Sequence, residues 1–199
     1  MPHRVPFIGL TGGLGAGKSE ALRALAELGA ATLSTDTVVH ELLQEDELRD
    51  AVVERLGPEV ARDGALDRSL IAERVFGDDG ARAWLEGELW PRVGARVAAW
   101  RSGLEAADPP PRAAVVEVPL LFEAGMGPAF DRTIAVVADE VVRAERAGTR
   151  GHAAVAERTG RQLTQKEKSQ RADFTVRNDG TIEELKQSLS RVLGKIERS

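Results

Sequence analysis

The chain has 199 residues, 42% of them hydrophobic, and carries 27 Lys and Arg against 32 Asp and Glu for a net charge of −5. That is the length of one ordinary folding unit with a real core. The absence of cysteine excludes disulfides, thiolate metal sites and a cysteine nucleophile, and the acidic balance argues against nucleic acid as the main partner.

From the N-terminus, Val5 to Thr11 is a short apolar run of strand type, with Pro6 confining its first residues to an edge or a strand start. The next residues, Gly12-Gly13-Leu14-Gly15-Ala16-Gly17-Lys18-Ser19, match G-x-x-x-x-G-K-[ST], the phosphate-binding P-loop. The pattern has a physical basis. The backbone must curl until several N–H groups face one anion, and a Cβ would block that approach. The start of a helix adds its positive end. Lys18 reaches the β- and γ-phosphates, and the Ser19 hydroxyl is a ligand for Mg²⁺. Ala21, Ala24, Leu25 and Leu28 then recur at helical spacing up to Gly29, so strand, loop and helix come in the order that the motif requires.

Ala30 to Thr35 reads as a second strand, ending at Asp36. Val38 to Leu56 reads as one helix, with an apolar stripe through Val39, Leu42, Leu43, Val52, Val53 and Leu56, broken by Gly57-Pro58. Leu66 to Val75 and Ala81 to Trp100 read as further helices, the latter with Trp84, Leu85, Leu89, Val93 and Val97 at core spacing. Asp108 to Pro111 is a linker. Ala113 to Val118 is a strand of buried type ending at Pro119, Thr133 to Val137 another, and Phe174 to Val176 a last one. Thr181 to Glu184 has capping-box form and opens an amphipathic helix through Ile182, Leu185, Leu189, Val192 and Ile196. Strands separated by helices imply an α/β fold with a parallel sheet covered on both faces.

In such sheets chemistry sits beyond the carboxyl ends of the strands. Three places qualify: the P-loop, Asp36, and Pro119-Leu120-Leu121-Phe122-Glu123. Asp36 has three readings: a base that accepts the proton of an attacking hydroxyl, a carboxylate that helps hold Mg²⁺, or the N-cap of the Val38 helix. The stretch from Arg143 to Arg171 holds eight basic residues, Arg143, Arg146, Arg150, Arg158, Arg161, Lys166, Lys168 and Arg171, with Glu145, Glu157 and Glu167 between them. It reads either as a salt-bridged helical surface or as a basic lid that closes over phosphates. Arg146 and Arg150 are four apart, on one helix face.

Gly9-Leu10-Thr11 with the P-loop, then Asp36, then Pro119 to Glu123 together resemble the dephospho-CoA kinase family, which reads GLTGGIGSGKS, Asp-Ala-Asp and PLLFE at those places. Asp63-Gly64, Leu66-Asp67-Arg68, Leu70 and Val75-Phe76 are similar to its segment before the substrate-binding helices. Arg146, Arg150, Arg158, Gln162, Lys168, Ala172-Asp173, Asn178 and Gly180 are similar to its lid and last strand. The chain departs from the family pattern at Glu20 (usually Thr), at Ser34 (the first Asp of Asp-Ala-Asp) and at Trp90 before Pro91 (usually His).

The resemblance implies a P-loop NTPase three-layer sandwich with a helical substrate-binding insertion and a helical lid, in one kinase domain over 1–199. Its nucleotide-binding core would comprise 1–36, 112–140 and 174–199, the acceptor-binding helices 37–111 and the lid 141–173. It further implies phosphorylation of the ribose 3′-hydroxyl of dephospho-CoA by ATP with Mg²⁺. Lys18, Asp36, Arg146 and Arg150 would be catalytic, Gly12 to Ser19 with Glu20 would bind ATP, and Ser19 would hold the metal. Thr11, Asp36, Leu120 and Glu123 would bind the acceptor. A cytoplasmic monomer is expected, with ATP and dephospho-CoA as partners and neither nucleic acid nor membrane. Physical reasoning alone reaches a small-molecule P-loop kinase. A kinase of another small molecule and a regulatory nucleotide-binding protein are the alternatives, although Asn-Lys-x-Asp and Asp-x-x-Gly, the guanine-nucleotide signatures, are both missing.

Overall fold

The structure, a computed structural model, describes residues 4–148 and 162–198. It divides into two compact units, one built from the chain up to Ser34 and from Arg101 onward, the other from Thr35–Trp100.

The first unit is a parallel sheet of five strands: β1 (Phe7–Gly12), β2 (Ala31–Ser34), β5 (Ala114–Glu117), β6 (Arg132–Val137) and β7 (Phe174–Arg177), in the order β2-β5-β1-β6-β7. The order puts β1 at the centre, where both neighbours pair with it and every residue is buried. Pro6, which has no N–H to give a ladder, stands just before this strand. Helices α1 (Lys18–Glu27) and α8 (Ile182–Ile196) pack together over the sheet. Their apolar stripes, Ala21, Ala24 and Leu25 from one and Leu185, Leu189, Leu193 and Ile196 from the other, share a core with Ile8, Leu10, Val115, Ile134 and Val136. The expected capping box opens α8: the Thr181 side chain accepts from the Glu184 N–H and Glu184 accepts in return from the Thr181 N–H. Helices α6 (Glu140–Gly148) and α7 (Gln165–Arg171) follow the carboxyl ends of β6 and precede β7. A second capping box, between Thr164 and Glu167, starts α7; Thr-x-x-Glu is its signal in the sequence. Asp173 fastens β7 to β6, accepting from both the N–H and the hydroxyl of Thr133 at 2.7 Å.

The second unit is helical: α2 (Thr35–Leu42), α3 (Asp46–Leu56), α4 (Arg68–Val75) and most of α5 (Asp79–Leu104). The single helix predicted over Val38–Leu56 is two. Its buried positions run Val38, Leu42 and Leu43, then Leu48, Val52 and Leu56. On one straight helix, at about 100° per residue, Leu43 would stand roughly 100° outside the stripe that the other five share, so burying all six takes a break. A tight turn, with the Glu45 N–H on the Leu42 carbonyl, resets the phase before α3. A two-stranded hairpin not foreseen in the sequence, β3 (Ala61–Arg62) and β4 (Ala65–Leu66), turns at Asp63 and Gly64, both at positive φ. Asp-Gly is the preferred pair for such a turn. Asp67 then caps α4, accepting from the N–H groups of Ser69 and Leu70. The Ser69 hydroxyl also donates to it, and these three donors hold the Asp67 carboxyl below the usual carboxylate range.

Candidate active site

The P-loop runs from the end of β1 into α1, with Gly17 as the N-cap of α1 in the left-handed conformation at φ 87°. This position needs glycine twice over. A side chain is strained at that φ, and a Cβ would meet the Asn178 amide nitrogen at 2.0 Å. Gly15 is also at positive φ, and a Cβ there would meet the Arg143 carbonyl at 2.6 Å.

The loop is held from outside by two residues far along the chain. Asn178, just past β7 and buried, donates from Nδ2 to the Ala16 carbonyl at 3.0 Å. Arg143, on α6, donates from Nε to the Leu14 carbonyl at 2.9 Å. With these two carbonyls held by side chains, the loop backbone is pinned in the curl that an anion requires. Lys18 folds over the loop, its Nζ donating to the carbonyls of Gly12 at 3.0 Å and Gly13 at 3.2 Å. Ser19 is exposed in the first turn of α1. Glu20, the family departure nearest the phosphate cradle, forms an ion pair with Arg23 one turn on, so its charge is partly balanced on the helix surface.

Thr11 and the Pro119–Glu123 segment meet beside the loop. The Thr11 hydroxyl donates to the Pro119 carbonyl at 3.2 Å. Leu121 is fully buried and belongs to the core, whereas Leu120 is half-buried. Glu123 pairs with Lys168 of α7 at 2.8 Å and accepts from the Leu163 N–H at 2.8 Å, both through Oε1. Lys168 is fully buried. Burial pushes its ammonium below the usual lysine range, against the opposing pull of Glu123.

Asp36 opens the second unit, in the first turn of α2 and not ahead of it. Among the described residues no backbone N–H is bonded to its carboxylate, so the N-cap reading fails: the helix begins at Thr35 and leaves Asp36 one step inside.

Of the basic stretch, Arg143, Arg146, Lys166, Lys168 and Arg171 are described. Arg143 holds the P-loop, and Arg146 donates from Nη1 to the Asn178 carbonyl at 2.9 Å. Arg150, Arg158 and Arg161 lie outside the described residues.

Sequence reasoning missed the tie from Asn178 to the loop, the contact of Arg143 and the pair of Lys168 with Glu123. It also passed over Glu117, a buried acid at the carboxyl end of β5, level with Leu10 of β1 and Ser34 of β2. A lone acid at the end of an otherwise apolar strand was the available signal. Among the described residues no group of three or more His, Asp or Glu side chains forms a metal cage.

The dephospho-CoA kinase family model, CoaE, matches residues 6–184. The chain is 38% identical to the dephospho-CoA kinase of Protochlamydia amoebophila over 186 residues, covering 92% of each chain. Among solved structures, a Thermus thermophilus protein is 32% identical with a TM-score of 0.79, over 96% of this chain and 98% of that one. The dephospho-CoA kinase of Campylobacter jejuni shares the fold at 23% identity and a TM-score of 0.61, over 96% of this chain and 97% of its own. A P-loop braced by Asn178 and Arg143 on a five-stranded parallel sheet, matched along nearly its whole length, places this chain in the dephospho-CoA kinase family.

Proposed function

We propose that the protein transfers the γ-phosphoryl group of ATP to the ribose 3′-hydroxyl of dephospho-CoA, releasing coenzyme A and ADP. The braced P-loop, with Lys18 at its mouth, carries this reading, and the family gives the acceptor. The hydroxyl oxygen attacks the γ-phosphorus, its proton passes to Asp36, and the bond from γ-phosphorus to the β,γ-bridging oxygen breaks to leave ADP. The loop amides and Lys18 stabilise the charge that grows on the leaving phosphate. The Asp36 carboxylate suits a base, because no capping hydrogen bond occupies it. Arg146 supplies further positive charge to the transferred group, and Arg150 is assigned the same role. Thr11, Leu120 and Glu123 border the acceptor.

Mg²⁺ fits the donor set. It prefers hard oxygen ligands, keeps several waters and needs few protein groups. Ser19 would hold it, and it would supply charge neutralisation to the ATP phosphates. No helix among the described residues is long and apolar enough to cross a membrane. The reading also includes a cytoplasmic location, a monomer as the favoured state, and ATP and dephospho-CoA as partners without membrane or nucleic acid.

Release of ADP in a coupled assay tests the proposal. Turnover should require dephospho-CoA. ATP consumption that ignores dephospho-CoA and responds to another small alcohol would point to a different kinase; nucleotide binding with no response to any acceptor would favour a regulatory protein.

A further inference from the structure

Lys168 is not assigned by the mechanism above, yet its surroundings are unusual. Its side chain is fully buried, and all three ammonium donors are used: to the Pro119 carbonyl at 2.7 Å, to Glu123 Oε1 at 2.8 Å and to the Thr11 hydroxyl at 3.4 Å. Thr11 immediately precedes the first P-loop glycine, and Pro119 opens the segment beyond β5. Three residues before Lys168 on the same helix, Gln165 makes a two-way bond with the backbone of Ala138 beyond β6, its Oε1 accepting at 2.9 Å and its Nε2 donating at 2.8 Å. A Cβ on Gly13 would stand 3.3 Å from Gln165 Cγ. Helix α7 is therefore fastened across the carboxyl ends of three adjacent strands, β5, β1 and β6, and lies against the P-loop itself.

A buried ion pair is a poor way to gain stability alone, since an apolar pair of similar size does as well or better. Here the pair is incomplete even as a pair: Glu123 Oε2 is buried and has no hydrogen-bond partner among the described residues. What the ammonium does that an apolar side chain cannot is fix three oxygen atoms, on two strand ends, at hydrogen-bond distance from one point.

We propose that Lys168 is a positioning residue for phosphoryl transfer, clamping the Pro119–Glu123 segment and the end of β1 to α7 so that the P-loop and the Glu123 loop keep one separation through turnover. The proposal rests on the kinase reading above. Lys168 touches no phosphate in it; it acts through Thr11, Pro119 and Glu123.

The test is a double-mutant cycle of Lys168→Met and Glu123→Gln, following kcat, KM for dephospho-CoA, thermal midpoint and affinity for a fluorescent ADP analogue. Lys168→Met leaves the Glu123 carboxylate with only the Leu163 N–H, and a loop displaced by about an ångström lowers kcat by up to roughly a hundredfold. Nucleotide affinity should hold, because Asn178 and Arg143 still brace the loop. The double variant buries no unpaired charge and should regain the midpoint that the single variant loses, while its kcat stays low. A kcat that recovers together with the midpoint would make Lys168 a purely structural residue and overturn the proposal. Should Lys168→Met not fold, the kcat of the folded double variant decides by the same criterion. Wild-type enzyme is the control for the underlying reading. If dephospho-CoA fails to stimulate wild-type ADP release, the acceptor assignment falls by itself, and the cycle is then read on acceptor-independent ATP hydrolysis, where the same pattern is required.

Discussion

Asn178→Ala isolates the brace on the P-loop. The substitution removes the donor that satisfies the carbonyl of Ala16, a fully buried residue. An unsatisfied buried carbonyl costs about 1–3 kcal/mol, and ~2 kcal/mol is a fair central value. The protein can bear this cost in two ways. If the loop keeps its curl, the cost appears as lost stability, a fall in thermal midpoint of about 4–8 °C for a chain of this size. If the loop opens to hydrate the carbonyl, the cost appears in binding, because ATP must rebuild the curl, and affinity falls up to about 30-fold. Calorimetric titration with ADP and a thermal melt on the same sample separate the two, and the sum of both effects should come to ~2 kcal/mol. Asn178→Asp is the control. It keeps the volume and loses the donor, and its carboxylate oxygens face the Ala16 carbonyl. It should be at least as damaging as alanine. An Asp variant with wild-type affinity and midpoint would show that Asn178 only fills space beside Gly17, and the brace argument would fail.

Lys18→Ala should abolish phosphoryl transfer with little change in melting, since the side chain reaches over the loop mouth and does not enter the core; near-normal turnover by a well-folded variant would remove the P-loop assignment. Asp36→Asn should lower kcat by about 100-fold or more with an unchanged melt, and because no N–H rests on this carboxylate, an active Asn variant would end its role as base. The Asp67 carboxyl is held below its ordinary value of 3.8 by the Ser69 hydroxyl and by two backbone N–H groups. Its contribution to stability is therefore complete above that value and disappears as pH falls through the depressed one. Asp67→Asn should flatten the acid limb of a denaturation profile in that window, and an unchanged limb would contradict the assignment.

The most legible parts of this protein were those whose logic is local. The P-loop is eight consecutive residues whose own backbone makes the anion cradle, so its pattern is readable without any partner. The Thr181 capping box and the amphipathic stripe of α8 are local in the same sense, as is the strand–loop–helix order around Lys18. The alternation of buried-type strands with helices was enough to imply a parallel sheet, because only covered faces can bury such strands. The resemblance at Thr11, Asp36 and Pro119–Glu123 pointed to the family.

Other features depended on which segments meet in space. One helix was read over Val38–Leu56 because its apolar positions share one stripe; the break follows from Leu43, buried off that stripe. Asp36 looked like a cap until the helix start fell at Thr35. Asn178 and Ala16 are 162 residues apart, and Lys168 and Thr11 157 apart. No periodicity links such pairs. A charge run was the only sign of Arg143, and Lys168 had that run and the likeness to the family's lid; neither could separate a solvated surface from a buried clamp. Only packing made that difference: once α6 and α7 lie across the strand ends, their polar side chains lose water and must satisfy the carbonyls they cover. The sequence alone thus determined where the P-loop lies, because that motif is built from one stretch of backbone. Tertiary structure decided what holds the site in shape, because those bonds exist only between distant segments brought together by the sheet.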